Sequence, residues 1–422
     1  MAVRLKCSLG RGDRITVRSR AVRLRKDLGY CLRLTPFIQN HMTQTTTDMG
    51  ATTQRTTQAT TPRSKHTLLV AGAGGLVGAA AAEHFATLPD WQVVAVSRRA
   101  PELPEGVRHV ALDLTDAAAC REAAKGLTHV THVLFAALYE KPDLVGGWRD
   151  PEQMAVNLAM LRNLLDALEP TARGLRHITL MQGTKAYGAH VEPVPAPCKE
   201  RWPRHPHENF YWLQEDLLRE RQARAAWTFT VLRPQLVMGY AISSPMNVVA
   251  ALGAYAAVQR ELGEPLHFTG GVRYINGASD SRLIARAAEF AATHEVAANE
   301  TYNVVNGDVL VWPDVWAAVA RHFGMEPGEH KPLRLTDAMP QREAVWKRVV
   351  DRHGLRAFTL EGLVGSSWQF ADRAFAYGAT EPQHAFLSPI KLRQHGLADC
   401  FDTEDALIYW LERMQARRLL PR

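Results

Sequence analysis

What the chain lacks narrows its class first. No stretch among its 422 residues approaches the ~20 unbroken apolar residues that a membrane helix needs. Cysteine is scarce: Cys7, Cys31, Cys120, Cys198 and Cys400 are scattered, with no CxxC pair and no metal-ligand spacing. That is the usage of inert thiols in a reducing compartment, and the expectation is a cytoplasmic protein without a metal. An excess of positive charge is also missing from most of the chain. The net charge is +7, but residues 1–41 hold ten Lys or Arg against two acids, and residues 42–65 three against one. Residues 66–422 carry 37 basic and 40 acidic side chains, so the basic pI belongs to the tail. Interleaved basic and aromatic surface, the footprint of a nucleic-acid groove, is absent from this body.

The tail itself is distinct. Residues 1–41 are Arg-rich without a convincing apolar run, which excludes a secretory signal and suits an organelle transit segment. Arg outnumbers Lys forty to ten over the chain, as GC-rich coding DNA gives, and this favours instead a translation start at Met42 or Met49. Residues 42–65 are rich in Thr and Gln and poor in core-forming side chains. Residues 1–65 are therefore expected to be disordered and dispensable for folding.

From His66 onward the pattern is strand, turn, helix, repeated. Apolar runs at 67–71, 91–96, 109–112, 130–136, 177–181 and 228–232 read as strands. Ala-rich or amphipathic stretches at 76–88, 154–168 and 209–224 read as helices between them. Such alternation implies an α/β fold with a doubly wound parallel sheet of Rossmann type. Single cores stop growing near roughly 250–300 residues, so a second lobe is expected. The boundaries that follow are a dinucleotide-binding domain over 66–240 and a smaller, mostly helical substrate lobe over 241–422. Within the latter, 276–306 should return to the sheet.

The first strand runs into Ala71-Gly72-Ala73-Gly74-Gly75-Leu76-Val77-Gly78 and then a helix. A glycine pattern is weak alone, but between a first strand and a helix it signals a dinucleotide site. Gly72 allows the tight turn, Gly75 lets amides at the positive helix end approach a pyrophosphate, and Gly78 brings helix and strand close. A carboxylate after the second strand would favour NAD. The chain instead reads Val96-Ser97-Arg98-Arg99, and paired guanidiniums suit the 2′-phosphate of NADP(H). Asp113-Leu114, ending the third strand, sits where an acid and an apolar side chain would flank the adenine.

The usual catalytic Tyr with a Lys four residues later is missing. Tyr211 opens a helix, yet Glu215 stands in the Lys position, where a carboxylate cannot assist an oxyanion and its removal should be mild. A lysine is offered elsewhere, in Gly183-Thr184-Lys185-Ala186-Tyr187-Gly188 at the carboxyl edge of the sheet. Tyr187 is a rival acid, though a Tyr at that point is more often structural. His205 and His207 lack metal spacing and read as loop. Tyr240 is a pocket candidate, and Trp368 and Phe370 either line a substrate pocket or fill the second lobe.

The segments GTKAYG, NFYWLQEDLL, LRPQLVMGYAISSPMN, TYNVVNGDVLVW and HGLADCFDTEDALIYWLERM resemble those of the progesterone 5β-reductase/iridoid synthase-like enzymes. These are atypical extended short-chain dehydrogenases in which the lysine comes from the earlier loop. The resemblance spans roughly 66–422. It implies NADPH-dependent reduction of a C=C bond conjugated to a carbonyl, with Tyr211 and Lys185 as the catalytic pair. It further implies Arg98 and Arg99 at the 2′-phosphate and Gly75, Leu76 and Val77 at the pyrophosphate. Val237 falls at the nicotinamide amide, and Ser244, Pro245 and Met246 at the outer phosphate or ribose. The chain departs from the plant enzymes at Phe135-Ala136-Ala137-Leu138, where they carry a Thr–Trp pair. A lysine beside Tyr211 would also lower the phenol pKa. The partner expected is a small enone or enal, with the chain working alone or as a homodimer. Competing readings are a carbonyl reductase or nucleotide-sugar epimerase, disfavoured by the missing Tyr-to-Lys spacing, and a non-catalytic NADP-binding sensor, which would need neither Tyr211 nor Lys185.

Overall fold

The computed structural model describes residues 65–422. The expectations for residues 1–64, including the tail's disorder and dispensability, lie outside the described residues.

Seven strands form one parallel sheet: β1 (His66–Ala71), β2 (Trp91–Ser97), β3 (Arg108–Ala111), β4 (His132–Phe135), β5 (His177–Met181), β6 (Thr228–Pro234) and β7 (Glu300–Val304). Their order across the sheet is β7-β6-β5-β4-β1-β2-β3. The sheet is buried on both faces, as the side-chain alternation along β1 shows. Leu69 and Ala71 pack with α2 (Ala117–Ala124), α3 (Pro151–Leu168) and α4 (Phe210–Gln222). Leu68 and Val70 point the other way, onto Phe85 of α1 (Leu76–Ala86) and Leu283 and Phe290 of α6 (Ser281–Thr293).

A further core forms around α5 (Val248–Leu262), an Ala-rich helix buried almost all round. It holds Trp312 and Trp316 of α7 (Trp312–His322), Trp346 of α8 (Glu343–His353), Trp368 of α9 (Ser367–Ala374) and Trp410 of α10 (Thr403–Ala416). Small residues on α5 let these neighbours close in; a Cβ at Gly253 would come within 2.3 Å of the Leu420 side chain. No helix among the described residues is long and apolar enough to cross a membrane. The free thiols Cys120 and Cys198 are buried, and burial pushes each up to about 11.

Two adjacent strands decide where the site lies. After β1 the chain crosses to one face of the sheet, and after β4 to the other. The carboxyl ends of β1 and β4 therefore part to leave a crevice, the place where parallel sheets of this kind bind ligands.

Candidate active site

A cavity of about 1120 Å³ opens at this crevice. Its cofactor side begins at Gly72, whose φ of +86° and whose approach to Ala136 leave no room for a Cβ, which would lie 2.7 Å from the carbonyl carbon. At Gly78 a Cβ would meet the Gly72 oxygen at 2.2 Å, so this glycine serves helix-to-strand packing and does not line the cavity. Intrahelical bonding in α1 starts with Ala79 N donating to Gly75 O at 2.9 Å. Among the described residues no side chain caps this helix, and its first turn holds no acid. The N–H groups of Leu76 and Val77 are thus left for an anion at the cavity wall.

Arg98 and Arg99 are exposed where β2 ends, and both line the cavity. The acid nearest in sequence, Glu102, is engaged by Arg356, Arg417 and the Tyr240 hydroxyl, which donates to it at 3.1 Å. Asp113 and Leu114 line the same end, and backbone and side-chain hydrogen bonds from Thr115 hold the Asp113 carboxyl below its ordinary value. Val237, in a two-residue strand beside Ser279, and Ser244, Pro245 and Met246 line the cavity as well. A nicotinamide dinucleotide fits these residues: free helix amides, a backbone approach that only glycine permits, and two guanidiniums with no carboxylate of a described residue within ion-pair distance.

On the other side, β5 ends in one 3₁₀ turn, Thr184–Tyr187, which carries Lys185 inward. Asn209 ties that turn to α4. Its side-chain oxygen caps the helix by accepting from Tyr211 N at 3.0 Å, while its Nδ2 donates to Lys185 O at 3.1 Å. The Tyr211 hydroxyl lies over Gly183, where a Cβ would come within 3.4 Å of it. Lys185 Nζ sits 5.7 Å from the Tyr211 ring centroid and 4.7 Å above the Trp148 indole. Its counter-ion is Glu140, with Oε1 at 3.4 Å, and Glu140 Oε2 accepts from Gln153 Nε2 at 2.6 Å.

The electrostatics reverse one sequence expectation. Burial pushes the Tyr211 phenol up, Glu140 pushes it further, and Arg233 only partly opposes them. The Lys185 ammonium is paired with Glu140, and the net shift of the phenol is upward. Burial also pulls Lys185 itself down, against the raising effect of Glu140. Tyr211 is therefore held as a neutral donor at ordinary pH.

Glu215 sits differently from its sequence reading, while Trp368 and Tyr187 each take the structural one of the two roles the sequence offered. Trp368 is buried in the core around α5 and does not line the cavity; its neighbour Phe370, two residues on, faces the cavity, as does Tyr240. Tyr187 is buried, bonds Asn303 Oδ1 at 2.7 Å, and lies outside the cavity lining. Glu215 is no idle substitute for a lysine. It is 3% exposed and binds Arg204 at 3.1 Å, Arg219 at 2.8 Å, Arg233 at 3.7 Å and Gln182 Nε2 at 3.1 Å. Gln182 in turn donates to Tyr211 O at 3.2 Å and accepts from Arg233 Nε at 2.9 Å. Glu215 thus anchors the helix that carries Tyr211. Sequence reasoning also missed Glu140, Trp148, Asn209 and Arg373. Of these only Asn209 left a signal, as a helix-capping type directly before an apolar run.

The fold and the crevice define an oxidoreductase of the extended short-chain dehydrogenase type that works with a nicotinamide cofactor. Residues 113–384 match the PRISE-like Rossmann-fold domain, and the chain belongs to that family. It is 31% identical over 395 residues to the (S)-8-oxocitronellyl enol synthase of Nepeta racemosa, covering 88% of this chain and 98% of that one. To the 3-oxo-Δ(4,5)-steroid 5β-reductase of Arabidopsis thaliana it is 31% identical over 376 residues, covering 84% and 92%. Among solved structures it is similar to the UDP-glucose 4-epimerase of Thermus thermophilus in complex with NAD. That likeness has a TM-score of 0.58 at 19% identity over 83% of this chain and 99% of that one, and it speaks to the fold alone.

Proposed function

We propose that the protein reduces the C=C bond of an activated enone or enal with NADPH, by 1,4-addition. The observation that carries this reading is the Tyr211 hydroxyl, buried, protonated and facing the same cavity as the open end of α1. Bound reduced nicotinamide would supply a hydride to the β-carbon of the substrate. Tyr211 donates a hydrogen bond to the carbonyl oxygen, where charge develops as the enolate forms. Donors of this kind contribute on the order of 10²–10³ in rate because they matter most in the transition state. Lys185 adds positive charge from across the Tyr211 ring, and Glu140 offsets the cost of burying it. The enolate then takes a proton from solvent at its α-carbon.

The cavity volume suits this assignment, since small-molecule pockets run to about 1,000 Å³ and this one must hold a dinucleotide and a substrate. Arg98 and Arg99 support NADPH over NADH. 2-Cyclohexen-1-one is a suitable first substrate: NADPH should be consumed and cyclohexanone formed. Formation of 2-cyclohexen-1-ol would contradict the reading.

A further inference from the structure

Arg373, on α9, lines the cavity. Its guanidinium lies over the Trp148 indole, 5.4 Å from the centroid, and the same ring carries the Lys185 ammonium. Among the described residues Arg373 forms one hydrogen bond: Nη2 donates to Ala189 O at 2.9 Å. No carboxylate oxygen of a described residue lies within 4.0 Å of the guanidinium. The acids of the neighbourhood are otherwise engaged, Glu140 with Lys185 and Gln153, and Glu192 with His205. Glu381, also on the cavity wall, makes no ion pair with it. Arg149 donates to the adjoining carbonyl, His190 O, at 2.9 Å and so brings a second positive charge to the same turn.

A guanidinium has five N–H donors in a planar fork. Arg373 is exposed to solvent through the cavity, and a neutral apolar molecule there would displace water from the donors that face it and offer them no acceptor. A carboxylate would meet two of them at once. Lys185 cannot take this part, because Glu140 holds it.

We propose that Arg373 forms a subsite for a carboxylate on the substrate, so that the substrate class is an anionic enone or enal. The inference rests on the enone-reductase reading, and the test separates the two. The probes are ω-carboxyl enones of increasing spacer length, each beside its methyl ester. For the best spacer the acid should show a KM about tenfold or more below that of its ester. In Arg373→Met the acid-to-ester ratio should collapse toward one, and Arg373→Lys should keep part of it. Turnover of acids and esters with equal KM at every spacer overturns the subsite and leaves the reductase reading standing. An acid preference that survives Arg373→Met also overturns it. If neither acid nor ester is turned over, the reductase reading fails. Calorimetric binding of the saturated keto acids and their esters then decides the subsite alone: tighter acids support it and equal affinities overturn it. Should Arg373→Met fail to fold, Arg373→Gln, which keeps a polar side chain without the charge, decides by the same acid-to-ester ratio.

Discussion

Tyr211 and Glu215 share one helix and differ in what their loss should do. Tyr211→Phe removes a donor that matters as charge develops, so turnover should fall on the order of 10²-fold while NADPH affinity barely changes. Lys185→Ala should cost a comparable factor. Steady-state kinetics beside a cofactor titration checks both, and turnover within twofold of the unmodified protein would remove the pair from the chemistry. Glu215→Ala should act through stability. It leaves Arg233, only 6% exposed, without its carboxylate, and breaking such a buried pair costs about 3–5 kcal/mol. Urea unfolding should register that loss; an unchanged midpoint would contradict the anchoring role. The contrast also shows where residue-level reading of the sequence fails. Lys185 and Tyr211 could be picked out by local motif, whereas their environment is made at long range. Lys185 meets Glu140 from 45 residues away, and Gln182 meets Arg233 from 51. Nothing in the spacing of a sequence reports such contacts, so the direction of the phenol shift was legible only in three dimensions.

At the scale of elements, the strand–turn–helix at 66–86 and the end of β2 carry the cofactor argument. They were readable because their physics is local. Gly72 and Gly78 are demanded by close backbone approach, and the strand periods at His177–Met181 and Trp91–Ser97 follow apolar runs closely. Helix ends were less legible, as at α3, which starts at Pro151 behind the capping Asp150 rather than at Met154. Arg98→Ala tests the β2 end. NADPH should bind at least about tenfold more tightly than NADH in the unmodified protein, and the substitution should erase most of that gap while leaving NADH affinity nearly unchanged. Equal dissociation constants for the two cofactors in the unmodified protein would contradict the assignment.

Across the whole molecule, the edge of the sheet opposite the cavity holds buried histidines that the chemistry does not use. His132 and His177 are 3% and 4% exposed at the starts of β4 and β5. Burial, with nearby positive charge, pulls His132 down to about 3, and burial alone pulls His177 down to about 4. In the unfolded chain both titrate near 6.5. The unfolded state thus binds protons that the folded state refuses, and stability must fall as pH drops from about 6.5 toward 4. Each histidine contributes a slope of up to about 1.4 kcal/mol per pH unit there. Urea midpoints should be level above neutral pH and decline toward pH 5, and His132→Leu should flatten the decline. A midpoint independent of pH across that window would contradict the burial of these rings as neutral groups.

The central claim is that hydride goes to carbon of a C=C bond while Tyr211 holds the carbonyl oxygen. The most direct measurement uses an enone with NADPH deuterated at the transferring position, with NMR of the product. The label should appear on the β-carbon of a saturated ketone, and Tyr211→Phe should slow its appearance without moving it. Label on the carbinol carbon of an allylic alcohol would mean 1,2-reduction, and would contradict the account while leaving the fold and the family as they stand.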